Sequence, residues 1–381
     1  MRGGIWLVLH LDAKKRGSME QQLVALARRL KTEAIPATMV FAAEPASFPG
    51  HELRAADVDV RAVDFARPAR ALASLIAWFT ADRPALVHFH FIGPYSRYVR
   101  AARLSGARVL VHEHLCPAVS PGIRGALKRA RSAVLNPFVD LRVAVSRFVA
   151  AAAIQAYALP PERVVVVENG IDLERFRGVD GARVRRELGL GDLPLLLCVS
   201  RMDAEKGGET LLRAMPLVAR GAHLAFAGEG PRLAEWAELV ARLGIAHRVH
   251  FLGLRNDVDE LMAASSVVVV PSEYEEAFGL AVVEAMASSR PVVVTRSGAM
   301  PELVGDGGIV VPKRDPEAMA GAVNRLLDDP ALAARLGHLG RDRAERNFSM
   351  EAYVDRTLAA YGRVLRTLRV ASAPATQAAS D

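Results

Sequence analysis

Cysteine is scarce in this sequence of 381 residues, and we predict no metal site and no disulfide that uses it. Cys116 and Cys198 are the only two, and they match no zinc or disulfide spacing, so we expect reduced thiols in a cytoplasmic protein. Long apolar runs are also missing, because none reaches the roughly 18 uncharged residues of a membrane-spanning helix. The apolar start of the chain, Ile5–Leu9, is short and lacks a small-residue cleavage site, which favours a buried strand over a signal peptide.

Aromatic residues are few, at 6% of the chain, and they are not interleaved with basic residues in the way that stacks nucleic-acid bases. Nucleic acid is therefore not an expected partner. Positive charge is concentrated in one half: residues 1–170 hold 23 Lys and Arg against 13 Asp and Glu, while residues 171–381 hold 26 against 29. The basic half predicts an anionic acceptor or an anionic membrane surface. Its segment Gly122–Arg131 has apolar residues opposite its cations and would lie on such lipid, although a short solvated helix explains it equally well.

Strand-length apolar runs alternate with helix-period segments along the chain, which predicts an α/β fold with mainly parallel sheets. The length suits two domains, so we predict two Rossmann-like domains in series, with a boundary in the glycine-containing, charged stretch 170–191. The predicted strands are Ile5–Leu9, Ala37–Phe41, Ala85–Phe89, Val109–His112, Leu141–Val145, Val164–Val167, Leu195–Val199, Leu224–Ala227, Val249–Leu252, Val267–Val270 and Pro291–Thr295.

The most informative stretch follows the valine run Val267–Val270, where an acidic loop leads into a predicted helix that begins at Gly279. Such a loop lies at the carboxyl edge of the sheet, where α/β folds bind their ligands. The free N–H groups of Phe278, Gly279 and Leu280 would face a phosphate at the positive end of the helix dipole. Gly279 would also let that phosphate approach closely.

Two carboxylates frame this junction. Glu276 stands just outside the helix, and Glu284 stands about 7 to 8 Å further along its axis, at roughly 1.5 Å per residue. Each carboxylate accepts two hydrogen bonds and suits a pair of vicinal hydroxyls, as on a sugar ring or a ribose. The plain alternative is a solvated loop charge and an exposed helix residue.

The sequence E-A-F-G-L-A-V-V-E-A, which holds both glutamates, resembles the Glu-x7-Glu signature of retaining glycosyltransferases with the GT-B fold, family 4 (group 1). The resemblance implies two Rossmann-like domains that face each other across an interdomain cleft, with a C-terminal helix that crosses back to the first domain. It implies an acceptor-binding domain over residues 1–168, a donor-binding domain over 169–349 and a crossover helix over 350–370. Residues 371–381 are low in complexity, and we expect disorder there.

Further motifs of the second half fit the same family. In V-S-R-M-D-A-E-K-G-G, Arg201 and Lys206 match the family's cations, which would neutralise a diphosphate leaving group. Gly228 begins A-G-E-G-P, similar to the family's Gly-x-Gly-Pro turn, although a plain strand-to-helix turn is an equal explanation. E-N-G-I-D-L-E-R-F at 168–176 resembles the interdomain segment, and S-G-A-M-P-E at 297–302 resembles Gly-Gly-x-Pro-Glu.

The first half departs more from the family. Its first strand is followed by K-K-R-G-S-M-E-Q, where the family usually carries two glycines and this chain has only Gly17, a candidate donor contact. Two His-x-His pairs, at 88 and 90 and at 112 and 114, lack a third ligand at zinc spacing, so we predict no metal there. The resemblance instead implies a histidine that contacts the transferred sugar, His112 first and His114 second. A polar residue that caps a strand is the alternative.

Two Asp-x-Asp triplets, at 57 to 59 and at 257 to 259, could be mistaken for the metal site of the other glycosyltransferase fold. The first lies in an apolar alternation and the second begins a helix, so both are interpreted as ordinary. Because Arg201 and Lys206 supply positive charge, no catalytic metal and no cofactor beyond the donor substrate is expected.

The resemblance therefore implies a retaining glycosyltransferase that moves a sugar from a nucleotide-diphosphate donor, UDP or GDP, to a glycan, lipid-linked or small-molecule acceptor. Glu284 would bind the ribose, and Arg201, Lys206 and the Gly279 amides the diphosphate. Glu276 and His112 would hold the sugar, and the departing phosphate would act as base. We expect a cytoplasmic enzyme of cell-surface polysaccharide or glycoconjugate biosynthesis, with peripheral contact to the cytoplasmic membrane face as an option. The alternatives are a nucleotide-sugar epimerase of similar architecture and a non-catalytic protein that binds anionic polymers.

Overall fold

The computed structural model describes residues 3–13, 17–119, 122–219 and 221–365. The chain forms two compact units, Met1–Gly170 with Met350–Asp381, and Ile171–Ser349. The basic residues at 14–16 and the tail at 371–381, for which we predicted disorder, lie outside the described residues. Within the described ranges no helix is both long and apolar enough to cross a membrane.

The first unit contains a seven-stranded, fully parallel sheet of order β3-β2-β1-β4-β5-β6-β7. The order reverses between β1 and β4, which makes the sheet doubly wound and creates a switch point at its carboxyl edge. The elements in chain order are β1 (Ile5–Leu9), α1 (Ser18–Thr32), β2 (Ala37–Phe41), α2 (Ser47–Ala55), β3 (Val58–Ala62), α3 (Pro68–Asp82), β4 (Leu86–His90), α4 (Arg97–Leu104), β5 (Arg108–Glu113), α5 (Gly122–Leu135), β6 (Leu141–Ala144), α6 (Arg147–Tyr157) and β7 (Val164–Val166).

The second unit contains a six-stranded parallel sheet of order β10-β9-β8-β11-β12-β13, which reverses between β8 and β11. Its central strands are fully buried and rich in valine, as parallel strands covered on both faces require. The elements are α7 (Ala182–Glu187), β8 (Leu195–Val199), α8 (Gly208–Ala214), β9 (His223–Ala227), α9 (Leu233–Arg242), β10 (Val249–Phe251), α10 (Val258–Ala264), β11 (Val267–Val270), α11 (Leu280–Ala287), β12 (Val292–Thr295), α12 (Met300–Val304), β13 (Gly308–Val311), α13 (Pro316–Asp328) and α14 (Pro330–Asn347).

The last described helix, α15 (Met350–Val364), returns to the first unit, as predicted for the C-terminal helix. Its side chains Tyr353, Leu358 and Tyr361 are buried in the same apolar cluster as β1 and α1. A helix that comes last in the chain therefore completes the core of the unit that comes first.

The predicted α/β fold with two Rossmann-like sheets is confirmed, and two strands were missed. Both, β3 and β13, lie at the edge of their sheets. The sequence of β3, V-D-V-R-A, carries charged side chains because one face of this edge strand is exposed, and β13 is short and begins with glycine. In β3 the charged side chains interrupt the apolar run by which the inner strands were recognised, and in β13 that run has only three residues after the glycine. The acceptor-binding and donor-binding roles of 1–168 and 169–349 stay predictions.

Burial of α15 predicts a stability effect. Leu358 is fully buried, so Leu358→Ala should lower the free energy of unfolding of the first unit by about 2 to 5 kcal/mol. Leu104→Ala, at a side chain that is 78% exposed, should change it by less than about 0.5 kcal/mol. Urea denaturation followed by circular dichroism measures both, and equal effects of the two variants would contradict the placement of α15.

Candidate active site

Lys206 and Glu276 meet at the switch point of the second sheet. They lie in the loops that follow the neighbouring strands β8 and β11, and Lys206 Nζ donates a hydrogen bond to Glu276 Oε1 at 2.8 Å. The two loops pack closely because Gly207 has a left-handed φ of 67° and no side chain. A Cβ at this position would lie 1.9 Å from the carbonyl oxygen of Pro271. The Lys-Gly pair of the sequence motif therefore brings the cation to the carboxylate.

The Glu276 carboxylate has further donors. Ser272 Oγ donates to Oε1 at 2.5 Å, and Tyr274 Oη donates to Oε2 at 2.6 Å. Burial, and then this hydrogen bond to a carboxylate, raise the pKa of Tyr274 well above its usual value. Glu276 is buried, and a buried carboxylate is stable only when it is paired in this way. The side chain is thus held in one orientation.

The loop after β12 fixes the backbone of Glu276. Ala299 N–H donates to Glu276 O at 2.9 Å, and Ser297 Oγ donates to the carbonyl oxygen of Tyr274. Gly298 lies so close that a Cβ would be 2.2 Å from Glu276 O. The motif S-G-A-M-P-E, to which the sequence analysis assigned no function, therefore positions the loop that carries Glu276.

Arg201 and Gly228, which were also predicted to contact the donor, have surroundings that differ from those of Lys206. The Arg201 side chain is 75% exposed, and its guanidinium lies 2.9 Å from Asp203 Oδ2. Gly228, with φ at +144°, lets the loops after β8 and β9 approach, since a Cβ there would lie 2.0 Å from Ser200 O. Its N–H donates to Gly253 O at 2.8 Å. Gly228 therefore has a packing role at the carboxyl edge of the sheet that does not depend on a ligand.

The helix α11 begins at Leu280, and Gly279 is its N-cap residue. The first N–H groups of a helix have no intrahelical acceptor, so those of α11 point out of its N-terminus. A Cβ on Gly279 would lie 2.6 Å from Met300 Cε, so Gly279 packs closely against the flexible side chain of Met300 on α12, in addition to the predicted approach of a phosphate. The Phe278 ring is buried against Phe348, with centroids 5.8 Å apart, which leaves only its backbone for a ligand.

Glu284 lies on α11 and is largely withdrawn from water. Burial raises the pKa of its carboxyl, the positive charge of Arg175 lowers it, and the negative charge of Asp259 raises it. Arg175 itself donates to Asp259 Oδ1 at 3.0 Å, so its charge is shared. The two glutamates of the Glu-x7-Glu motif therefore differ, because Glu276 is held by several donors while Glu284 experiences mainly desolvation.

In the first unit the two His-x-His pairs form one cluster. Residues 88 and 90 lie on β4 and residue 112 on β5, with His90 and His112 directly opposite in the register. The rings of His112 and His114 stack with centroids 4.2 Å apart, and His90 Nδ1 lies 3.0 Å from His114 Nε2. Burial, reinforced for the first three by the neighbouring rings, lowers the pKa of each imidazole well below its usual value, for His114 to about 3. All four rings are therefore neutral at neutral pH.

The structure thus corrects the interpretation of the pairs as separate. A third histidine does accompany each pair, but it comes from the neighbouring strand and not from nearby sequence. Both pairs occupy alternate positions at the end of a buried strand, and that shared offset is the signal that would have predicted their meeting.

The remaining predicted features have plain surroundings. Gly17 is the N-cap residue of α1, in the loop that follows β1. Neither Cys116 nor Cys198 forms a disulfide within the described residues, and burial raises the pKa of Cys198 to about 11. In the Asp-x-Asp triplets, Asp59 pairs with Arg61 at 2.7 Å and Asp257 pairs with Arg255 at 2.7 Å, in agreement with their interpretation as ordinary.

Two family models match the chain. The model "Glycosyltransferase Family 4" matches residues 19–175, and the model "Glycosyl transferases group 1" matches residues 193–329. The first match covers strands β2 to β7 of the first sheet and the second covers β8 to β13, so the two models together match most of both sheets.

Curated relatives agree with the models. A GDP-mannose-dependent α-(1-6)-phosphatidylinositol monomannoside mannosyltransferase from Mycolicibacterium smegmatis is 32% identical over 287 residues, which is 71% of this chain and 72% of the relative. A D-inositol 3-phosphate glycosyltransferase from Streptomyces bingchenggensis is 30% identical over 330 residues, which is 78% of this chain and 66% of the relative.

Solved structures share the fold at lower identity. A glycosyltransferase from Rickettsia africae has a TM-score of 0.83 at 20% identity, covering 97% of this chain and 100% of the other. The Anabaena protein HepE in complex with UDP has a TM-score of 0.80 at 22% identity, covering 94% of this chain and 100% of the other.

The raised pKa of Glu284 predicts a pH dependence of stability. A carboxyl with a folded-state pKa above its unfolded value of about 4.3 contributes stability below that value, and this contribution is lost as the pH rises through the folded-state pKa. Glu284→Gln cannot ionise, so it should unfold at a higher temperature than the wild type at pH 8 and at nearly the same temperature at pH 4. Differential scanning calorimetry from pH 4 to pH 8 measures this. The exposed Glu238→Gln is the control, and a pH-independent difference for Glu284→Gln would contradict the assignment.

Proposed function

The chain belongs to the family 4, group 1 glycosyltransferases of GT-B fold, and we propose that it transfers a sugar from a nucleotide-diphosphate donor to an acceptor hydroxyl with retention of configuration. The observation that carries the proposal is the contact of Lys206 with Glu276 at the switch point of the second sheet, with Glu284 on the helix that follows. Transferases of this family use nucleotide sugars. The family assignment also disfavours the epimerase and polymer-binding alternatives.

The donor binds at the carboxyl edge of the second unit in this proposal. The Glu284 carboxylate accepts both ribose hydroxyls, and its desolvated surroundings make those hydrogen bonds strong. The N-terminus of α11, with the Gly279 and Leu280 amides, faces the diphosphate. Arg201 is exposed, and its long side chain turns from Asp203 to a phosphate when the donor binds.

Lys206 is the central catalytic group. It lies against Glu276 and over the Tyr274 ring, 4.7 Å from its centroid, so its charge is held in place before the reaction. A charge fixed in advance stabilises the developing diphosphate without reorganisation. Glu276 orients Lys206 and accepts hydroxyls of the sugar. The diphosphate charge is balanced by side-chain cations, and we propose no metal in this step.

Retention follows from the family resemblance. No protein nucleophile is proposed, and the departing phosphate takes the proton of the acceptor hydroxyl on the face from which it leaves. His112 contacts the transferred sugar, and both of its ring nitrogens lack a hydrogen-bond partner among the described residues, which supports a role toward a ligand.

The acceptor is anionic in this proposal. Residues 1–170 carry an excess of ten positive charges, 23 against 13, and the names of two relatives contain inositol phosphate or phosphatidylinositol groups. We place the enzyme in the cytoplasm, in the synthesis of a cell-surface polysaccharide or glycoconjugate.

Helix α5 supports peripheral contact with an anionic membrane. Ile123, Leu127 and Val134 on this helix are 66 to 80% exposed, and the cations Arg124, Arg129 and Arg131 on the same helix are exposed as well. Apolar side chains beside cations are typical of helices that lie in a lipid interface.

Nucleotide binding tests the donor site. One of UDP, GDP, ADP and dTDP should bind in isothermal titration calorimetry, and Glu284→Ala should weaken that binding by about 10 to 100-fold because the ribose hydroxyls lose their charged acceptor. Glu238→Ala, at an exposed glutamate of α9, should bind like the wild type. Failure of the folded wild type to bind any of the four would contradict the donor site.

Transfer from the selected sugar nucleotide then tests the chemistry. Lys206→Ala should lower kcat by about 100-fold or more. Proton NMR of the product should show the anomeric configuration of the donor. An inverted product would contradict the retaining mechanism and leave the donor site intact.

Vesicle binding tests the membrane contact. The wild-type protein should co-sediment with vesicles that contain phosphatidylglycerol and should not co-sediment with vesicles of phosphatidylcholine alone. Leu127→Glu should reduce the bound fraction several-fold, because it places a charge on the face that would enter the lipid. Leu217→Glu, at an exposed leucine of the second unit, is the control. Equal binding of both variants would contradict the role of α5.

A further inference from the structure

The histidine cluster of the first unit occupies a face of the sheet that should be apolar. Along β4, Leu86 points into the cluster of apolar residues under α1 and α15, while Val87 and Phe89 point to the opposite face. Strand alternation therefore places His88 and His90 on the side of α15. On β5, Leu110 and then His112 face the same way. Three imidazoles thus extend an otherwise hydrophobic core toward the carboxyl edge.

The rings are buried and incompletely paired. His88, His90 and His112 are at most 3% exposed. Four of their ring nitrogens, His88 Nε2, His90 Nε2 and both nitrogens of His112, have no hydrogen-bond partner within the described ranges. Leaving a buried polar atom unpaired is energetically costly. Four such atoms on neighbouring rings are available to a ligand.

We propose that His88, His90 and His112 bind one transition-metal ion, with Zn²⁺ as the best fit. One ring nitrogen from each lies within 4.8 Å of the other two. Tetrahedral zinc with bonds of about 2.0 to 2.1 Å holds its ligands about 3.4 Å apart, so the rings converge by little more than about 1 Å on binding. Three imidazoles without a carboxylate select zinc, copper, nickel or iron over magnesium and calcium.

The nitrogens that point away from the site are already fixed. His88 Nδ1 lies 3.0 Å from Tyr361 Oη, and His90 Nδ1 lies 3.0 Å from His114 Nε2. If both Nδ1 atoms donate their protons to these partners, both Nε2 lone pairs are free for the metal. Ligating histidines are oriented by a hydrogen bond of the second ring nitrogen in this way. His112 keeps one ring nitrogen for another contact after the other has bound the metal.

The site would join three parts of the first unit that are distant in the chain. Its ligands come from β4 and β5, and Tyr361 comes from α15. A metal at this point would hold the carboxyl ends of two central strands together and would be enclosed as the unit folds. The inference goes beyond the proposed function. Of the residues given a role there it involves only His112, which would bind the metal through one ring nitrogen and keep the other for the sugar.

The test is the metal content of the untagged full-length protein. Protein purified from cells grown with added zinc should contain about one zinc per chain by elemental analysis. Protein from cobalt-supplemented cells should show the visible absorption of tetrahedral Co²⁺. His90→Gln should abolish both signals while circular dichroism shows a folded protein. His250→Gln is the matched control. His223 Nδ1 and His250 Nε2, on neighbouring parallel strands, also lie 2.9 Å apart, but among the described residues they are not part of a group of three converging ligands.

Tyr361→Phe is the second variant, in case His90→Gln does not fold. Loss of the hydroxyl that orients His88 should weaken zinc binding by about 10 to 100-fold in competition with a chromogenic chelator. Folded wild-type protein without bound metal after either supplementation would overturn the proposal and assign the ring nitrogens to ordered water. Metal content unchanged in His90→Gln would overturn it as well. Neither result would bear on nucleotide binding by the second unit.

Discussion

Parallel pairing of β8 with β11 is the constraint on which the contact between Lys206 and Glu276 depends. Val267 and Val268 pair with Leu196 and Leu197 at the point where the strand order reverses. Because all strands run in one direction, the loops that follow these two strands leave the sheet at the same edge, and no intervening strand separates them. Lys206 and Glu276, 70 positions apart in the sequence, are neighbours for this reason. The glycines around them, such as Gly207, are required by how closely the two loops approach.

The two glutamates of the second unit, Glu276 and Glu284, differ in how their burial is compensated. Glu276 is buried with three donors, from Lys206, Ser272 and Tyr274, and its orientation is fixed before any ligand arrives. Glu284 is desolvated with less compensation, which favours hydroxyl donors from a ligand. A site that combines one fixed carboxylate with one that still seeks donors suits a substrate with hydroxyls at both ends. The protein then orients the substrate. Selectivity for the substrate comes from its pairing with groups that are costly to leave unpaired.

The first unit places its unpaired groups at the corresponding edge of its own sheet. Its order also reverses, between β1 and β4, and the histidines of β4 and β5 lie at the carboxyl ends of those strands. Tyr361 of α15 reaches this cluster, so the helix that ends the described chain takes part in the polar interior of the unit with which the chain begins. The excess of positive charge in residues 1–170 belongs to this same unit.

The sequence by itself determined the fold class, the inner strands and the identity of the motif residues. Buried valine runs and the Glu-x7-Glu spacing are local patterns, and local patterns are visible in a sequence. The edge strand β3 was missed because its charged side chains dilute the apolar signal, and β13 was missed because its apolar run has only three residues. Only the tertiary structure decided that Lys206 reaches Glu276, that Gly279 packs against Met300, and that the two histidine pairs form one cluster. Each of these contacts joins distant segments through sheet register or loop packing, which the spacing of residues along the chain does not encode.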